Sequence, residues 1–291
     1  MKPPSFEYHA PSTLREALRL LRELGPDAKP LAGGQSLVPM MNFRIAHPRH
    51  LIDLNQIAAL SYIRVEDGGL CIGAMVRHRE IEHSQIIRQH WPLLSEVMKH
   101  VAHVQIRSRG TIGGSLSHAD PAAELPAAVG ALDGELVLQS ESATRILRAG
   151  DFFLSALTTA AQSDELLVEI RIPKLPAGTS AAFDELSRRR GDFAIVGVAA
   201  VVKCDHAGKF VFARVTLTGV DETFLRARRA EDCLLGQEAT PALIAQASRI
   251  AAADLNPPSD LHASSSYRRE VAEAVAERVL SRAVAQQGIA L

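Results

Sequence analysis

Cysteine is scarce in this sequence: Cys71, Cys204 and Cys233 are the only three in 291 residues. None stands in a C-x-x-C pair, so no zinc or iron–sulfur ligand spacing is recognisable, and no metal ligand is assigned to the chain. A sparse, odd count fits a reducing compartment. Long apolar runs are missing as well. With no stretch of about eighteen apolar residues, no membrane span is expected. Residues 1–8 lack the apolar segment of a secretory signal, which makes a cytoplasmic protein the expectation. An excess of either charge is also absent: 32 Lys and Arg face 33 Asp and Glu. Nothing in that balance argues for a nucleic acid or an anionic membrane as partner. The short clusters Arg188-Arg189-Arg190 and Arg226 to Arg229 read as solvated or partner-facing arginines. Both nucleotide-binding fingerprints, G-x-G-x-x-G and G-x-x-x-x-G-K-[ST], are missing.

What the sequence does have is a pair of glycine turns. The first is Leu31-Ala32-Gly33-Gly34-Gln35-Ser36, and the second is Thr111-Ile112-Gly113-Gly114-Ser115. Consecutive glycines let backbone N–H groups converge, because no Cβ blocks the approach and positive φ carries no penalty. Such a nest of N–H groups is an anion site. Two nests brought together suit the two phosphates of a pyrophosphate, so a dinucleotide is the expected ligand. Alone, each pair is also compatible with a bare turn. The run Ser117-His118-Ala119-Asp120-Pro121-Ala122-Ala123-Glu124 adds a hydroxyl, an imidazole and two carboxylates just beyond the second pair. Carboxylates accept hydrogen bonds strongly from ribose or ribityl hydroxyls. Asp120 has a second reading as N-cap of a helix starting after Pro121.

The patterning predicts a mixed α and β chain. Thr13-x-x-Glu16 is a capping box ahead of Leu14, Ala17, Leu18, Leu21 and Leu24 at helical spacing. Short strands are expected at Pro30–Leu31, His50–Leu54 and Gly69–Val76, the last entered through an Asp67-Gly68-Gly69 hairpin turn. Residues 78–104 read as helical with a break at Trp91-Pro92. Glu135–Gln139 and Leu166–Ile172 read as strands. Pro173, Pro176 and Gly178 punctuate a domain boundary, giving domains 1–176 and 177–291. Beyond it, two long strands, Ala194–Val202 and Phe210–Leu217, precede helices over Pro241–Asp254 and Tyr267–Gln286. The last helix has an apolar stripe of Val271, Ala274, Val275, Val279 and Ala283.

The ordered motifs A-G-G-x-S at Ala32–Ser36, T-I-G-G-S at Thr111–Ser115 and D-P-x-x-E-x-P at Asp120–Pro126 resemble the FAD-binding (medium) subunit of the molybdenum hydroxylases. This is the group of the carbon monoxide dehydrogenase medium subunit and the xanthine dehydrogenase flavin segment. The likeness runs through Leu37–Met41, Leu51–Asn55, Gly191-Asp192-Phe193 and Tyr267-Arg268. It implies an α+β fold: an N-terminal FAD domain of two subdomains, similar to the vanillyl-alcohol-oxidase (PCMH) type, then a small antiparallel sheet with helices. It also implies that Ala32, Gly33, Gly34, Gln35, Ser36 and Leu37 surround the FAD pyrophosphate from one side. Thr111, Gly113, Gly114, Ser115 and Ser117 do so from the other. Asp120 and Glu124 match acidic or polar FAD contacts, and Asp192 and Phe193 match a segment beside the isoalloxazine ring. Gln35, Ser115 and Phe193 replace a His, Asn and Tyr frequent in relatives, and each keeps hydrogen-bonding capacity or an aromatic face.

The implied function is electron transfer. A small partner subunit would carry 2Fe–2S clusters and a large one the molybdenum cofactor, assembled as a dimer of heterotrimers. No residue of this chain is then assigned as catalytic, since the redox chemistry belongs to the cofactor. A self-contained flavin oxidase or dehydrogenase of related fold is the alternative. A flavin-free interaction subunit is a third reading, opposed by the two glycine turns.

Overall fold

The computed structural model describes residues 2–289 and divides into two compact units. The first comprises Met1–Glu80, His103–Ala119 and Gly134–Pro173; the second comprises Ile81–Ala102, Asp120–Asp133 and Lys174–Leu291.

The first unit holds ten strands: β1 (Glu7–His9), β2 (Ala28–Leu31), β3 (His50–Asp53), β4 (Ile63–Glu66), β5 (Gly69–Gly73), β6 (Glu135–Gln139), β7 (Thr144–Arg148), β8 (Phe153–Ser155), β9 (Thr158–Thr159) and β10 (Leu166–Ile172). Parallel strands in the order β1-β3-β2 make a small sheet. The helix Leu14–Leu24 covers it, and Ala17, Leu18 and Leu21 share a core with Ala28 and Ile52. Half of its predicted capping box forms: Thr13 Oγ1 accepts from Glu16 N at 3.2 Å, while Glu16 Oε2 accepts from Ser12 N, one residue before the N-cap, at 3.3 Å. Gly25, at φ +57°, ends it. A second, antiparallel sheet runs β4-β5-β10-β6-β7. Its β4–β5 hairpin turns on Asp67 and Gly68, both at positive φ, the conformation a tight two-residue turn requires. β7 has alternating half-exposed residues and is polar at its ends, which is why it escapes the sequence reading.

The second unit is built on an antiparallel sheet of β11 (Ser180–Leu186), β12 (Val196–Cys204), β13 (Phe210–Thr218) and β14 (Leu225–Arg226). Val196, Val198, Ala200 and Val202 share one core with Ile244 and Ala247 of helix Pro241–Ala253 and Val275 and Val279 of helix Ser265–Ala285. Alternate residues of β12 are buried too, because helix Glu124–Ala131 packs against β12 and β13. That helix is buried at every position, so it lacks the amphipathic stripe that marks a surface helix. It starts at Glu124 rather than at Pro121, with Ala123 as N-cap. In the last helix the buried stripe runs through Arg268, Ala272, Val275, Val279 and Ala283, while Ala274 is exposed. Starting one turn earlier, at Arg268, rotates the stripe away from Ala274. Among the described residues, no helix is long and apolar enough to cross a membrane.

The Arg226–Arg229 cluster is not simply solvated. Arg226 Nε and Nη2 each lie 2.9 Å from an oxygen of the buried Glu231 carboxylate, and Arg226 Nη1 is 2.7 Å from Asp133. Glu231 Oε1 also accepts from Val215 N at 2.9 Å, tying helix Arg228–Leu234 to β13. Removing one partner of such a buried pair strands the other charge. Glu231→Ala should lower unfolding free energy by about 3 kcal/mol in urea titration, and Arg226→Lys, which loses the two-pronged geometry, by a smaller amount.

Candidate functional site

Both glycine pairs lie in the first unit, and the fold presses them together. A Cβ at Gly33 would fall on the Arg109 carbonyl oxygen and within 2.8 Å of Gly110 Cα, so only glycine fits there. A Cβ at Gly114 would lie 3.4 Å from Ala32 Cβ. Side chains clamp the same junction. Asn55 Nδ2 donates to Ala32 O at 2.9 Å, and Asn55 Oδ1 accepts from Arg77 Nη2 at 2.5 Å. Arg77 Nη1 donates in turn to Arg109 O. Burial and the neighbouring Arg109 guanidinium both push the Arg77 pKa down. Asp53 orients Asn55 and accepts from Tyr8 Oη at 2.5 Å. Burial works to raise the Asp53 pKa but is outweighed by those hydrogen bonds, and the net shift is downward. Arg77 and Arg109 carry no sequence signal of this role. Their contacts span 22 and 32 residues and exist only once β3 and the glycine turns have met.

The two turns differ in what they offer. The N–H groups of Gly33, Gly34, Gln35, Ser36 and Leu37 donate to no acceptor among the described residues. Gly34 takes φ +74° in the turn ahead of helix Leu37–Asn42. Consecutive free N–H groups are what an anion nest requires. The second pair is not such a nest, contrary to the sequence expectation. It lies inside helix Ile112–His118, where Gly113 N–H donates to Ala74 O at 2.9 Å, Gly114 N–H to Thr111 Oγ1 at 3.1 Å and Ser115 N–H to Thr111 O at 3.0 Å. Its glycines serve close packing: a Cβ on Gly113 would meet Ala74 Cβ at 2.5 Å. What remains for a ligand is the hydroxyls of Ser115 and Ser117, half-buried and exposed respectively, and the bare face of Gly114.

His78 braces the approach to the second pair. Its backbone N–H donates to Gly110 O at 3.0 Å, and its Nε2 lies 3.0 Å from Thr111 O. The ring is buried and Nδ1 has no partner, which requires a neutral imidazole with the proton on Nε2. Burial lowers its pKa to about 4.

The remaining sequence-assigned residues lie in the second unit. Asp120 does not cap a helix; its Oδ1 accepts from Ala122 N at 2.9 Å in a local turn. Thr218 Oγ1 holds that segment through Pro121 O and Ala123 O, both at 2.8 Å. Glu124 is 4% exposed, and burial first, then the Glu185 carboxylate, raises its pKa to about 8. Asp192 and the exposed Phe193 line a cavity of about 390 Å³ with Arg188, Ala122, Asp260 and Arg268. Arg188 and Arg189 both pair with Asp192, at 3.5 and 3.2 Å. Arg268, inside the first turn of the last helix, donates to Gly219 O at 2.9 Å and Asp260 Oδ2 at 2.7 Å, which fixes the cavity wall.

A glycine turn with free N–H groups beside two sheets, with a sheet-and-helix unit, suits a nucleotide-binding protein that relies on neither a Rossmann nor a P-loop turn. Residues 4–175 match the FAD binding domain in molybdopterin dehydrogenase, and residues 181–283 match the CO dehydrogenase flavoprotein C-terminal domain. The chain is 44% identical over 284 residues to the 6-hydroxypseudooxynicotine dehydrogenase complex subunit alpha of Paenarthrobacter nicotinovorans, covering 98% of this chain and 96% of that one. It is 40% identical to the carbon monoxide dehydrogenase medium chain of Hydrogenophaga pseudoflava, over 98% and 99% of the two chains. A crystal structure of that organism's carbon monoxide dehydrogenase superposes with a TM-score of 0.95, covering 99% of each chain. The chain belongs to the family of FAD-binding medium subunits of molybdenum hydroxylases.

The two buried titratable groups set opposite pH dependences. His78 is depressed from 6.5 to about 4, so the unfolded chain takes up its proton first as pH falls. The stability it contributes is whole above 6.5 and lost towards 4, amounting to roughly 3 kcal/mol. Glu124 is raised from 4.5 to about 8, so its contribution is whole below 4.5 and lost as pH rises through 8. Thermal melts from pH 4 to 9 should therefore lose part of their acid limb in His78→Gln and part of their alkaline limb in Glu124→Gln.

Proposed function

We propose that this chain is the flavoprotein subunit of a heterotrimeric molybdenum hydroxylase, joining a small 2Fe–2S subunit and a large molybdenum-cofactor subunit in a cytoplasmic dimer of heterotrimers. It passes electrons from the partner's 2Fe–2S clusters through FAD to an external acceptor. The observation that carries the reading is the row of unpartnered N–H groups from Gly33 to Leu37, held open by the Gly33–Arg109 backbone contact. Those donors fit a pyrophosphate, and a Cβ at Gly33 would close the junction that shapes them. When bound, the flavin supplies the ability to take up single electrons and release one or two.

In this proposal Ala32, Gly33, Gly34, Gln35, Ser36 and Leu37 hold the pyrophosphate through backbone N–H groups. Thr111, Gly113, Gly114, Ser115 and Ser117 bound it by close approach and by hydroxyls. Gln35 Nε2 donates to Gly33 O at 3.1 Å, so this side chain keeps the turn in shape rather than reaching the ligand. Asp120 and Glu124 take ribityl or ribose hydroxyls, Glu124 from its protonated form. Asp192 and Phe193 lie at the isoalloxazine ring, Asp192 held by its two arginines. Residues 1–176 act as the FAD domain and 177–291 as the C-terminal flavoprotein domain. No side chain of this chain moves a proton in the reaction. Its residues bind and orient the cofactor.

The test is the spectrum of the purified chain, with acid release of the chromophore. FAD should be released, and no organic substrate should reduce it until the iron–sulfur and molybdenum subunits are added. Reduction by a substrate in the isolated chain would instead indicate a self-contained oxidase or dehydrogenase. Gly33→Val should lower FAD affinity by on the order of a hundredfold or more, since overpacking against backbone cannot relax by side-chain movement. A Gly33→Val protein that folds and retains full flavin would sink the assignment.

A further inference from the structure

Glu7, His9 and His50 come together on edge strand β1 and its neighbour β3 of the parallel sheet, and none of them is assigned to the flavin. Strand alternation puts Glu7 and His9 on one face of β1, and the register sets Glu7 opposite His50 on β3. His9 Nε2 lies 3.2 Å from His50 Nδ1, and His50 Nδ1 lies 3.4 Å from Glu7 Oε2. All three ligand atoms fall within 4.8 Å of one another. A tetrahedral zinc ion with ligands at about 2.0–2.1 Å separates them by about 3.3–3.4 Å along each edge. Two edges of this triangle already have that length. The His50 side chain is 18% exposed and that of Glu7 is 74% exposed, so the imidazoles are set in the wall and the carboxylate can swing to complete the third edge. The nearest basic neighbour in sequence, Arg49, is engaged with Asp27.

We propose that Glu7, His9 and His50 form a zinc site, two imidazoles and one carboxylate with the fourth position left to water, which staples edge strand β1 to β3. Nothing in the spacing reveals it, because one strand supplies two ligands and the third stands 41 residues beyond His9.

The experiment uses the full-length, untagged flavoprotein, stripped with chelator and titrated with zinc chloride in a calorimeter. Cobalt(II) then serves as a spectroscopic probe at wavelengths beyond the flavin bands. One metal per chain and the intense d–d bands of tetrahedral cobalt are expected. His9→Ala and His50→Ala should each weaken binding by on the order of a hundredfold, since even outer partners of a metal site are worth 10- to 100-fold. Glu7→Gln, at an exposed position that leaves folding intact, should weaken it about tenfold. His206→Ala, on the turn between β12 and β13, should change nothing. Failure of the wild-type chain to bind a stoichiometric ion would overturn the proposal. So would unchanged affinity in the Glu7 variant together with the His9→Ala/His50→Ala double variant.

Discussion

The arrangement of the first unit depends on one backbone-to-backbone contact. Gly33 lies so close to the carbonyl of Arg109 and to Gly110 that no side chain can stand between them. Helix Leu37–Asn42 leaves the turn at once, and the N–H groups before it have no acceptor among the described residues. A buried N–H without an acceptor costs about 1–3 kcal/mol, so several together are tolerated only where solvent or a ligand satisfies them. The clamp of Asn55 and Arg77 across Ala32 O and Arg109 O holds the junction shut from the other side.

This makes the two glycine pairs chemically unequal despite their similar appearance. The first has free donors because Gly34 takes a positive φ and breaks the ladder. The second is folded into a helical turn capped by Thr111, so its donors are already matched. Its glycines matter for what they lack. A side chain on Gly113 would drive the helix off Ala74, and one on Gly114 would meet Thr111 Oγ1 at 2.8 Å. His78 adds a constraint of a different kind, since its neutral ring holds Thr111 O and its backbone holds Gly110 O. One turn therefore donates and the other shapes.

Much of this could be read before the structure. The N-cap at Thr13, the hairpin at Asp67-Gly68 and the long strands of the second unit are local patterns, and each appears where its residues predict. The motif order was enough to indicate the family. Three things were hidden. The helix expected after Pro121 begins instead at Glu124, and because it is buried all round no periodicity marks its bounds. The fate of individual N–H groups depends on which carbonyl lies opposite, as with Gly113 and Ala74, 39 residues apart in sequence by their numbering. The Arg226 network needs Asp133 from a distant segment, so the first arginine of a cluster that reads as solvent-facing is a half-buried tie, while Arg228 and Arg229 stay exposed.

Several carboxylates of the second unit are held by particular partners. Glu231 is matched by Arg226 and a backbone N–H, Asp260 by Arg268, and Asp192 by two arginines. Burial works to raise the Asp260 pKa, but backbone donors and Arg268 outweigh it and the net shift is downward. The exceptions are Glu124 and Glu185, buried near each other, with Glu185 Oε1 3.5 Å from His100 Nδ1 and its Oε2 without a partner among the described residues. Burial first, and then the neighbouring Glu185 carboxylate, raises the Glu124 pKa and favours its protonated form. A protonated carboxyl can donate as well as accept.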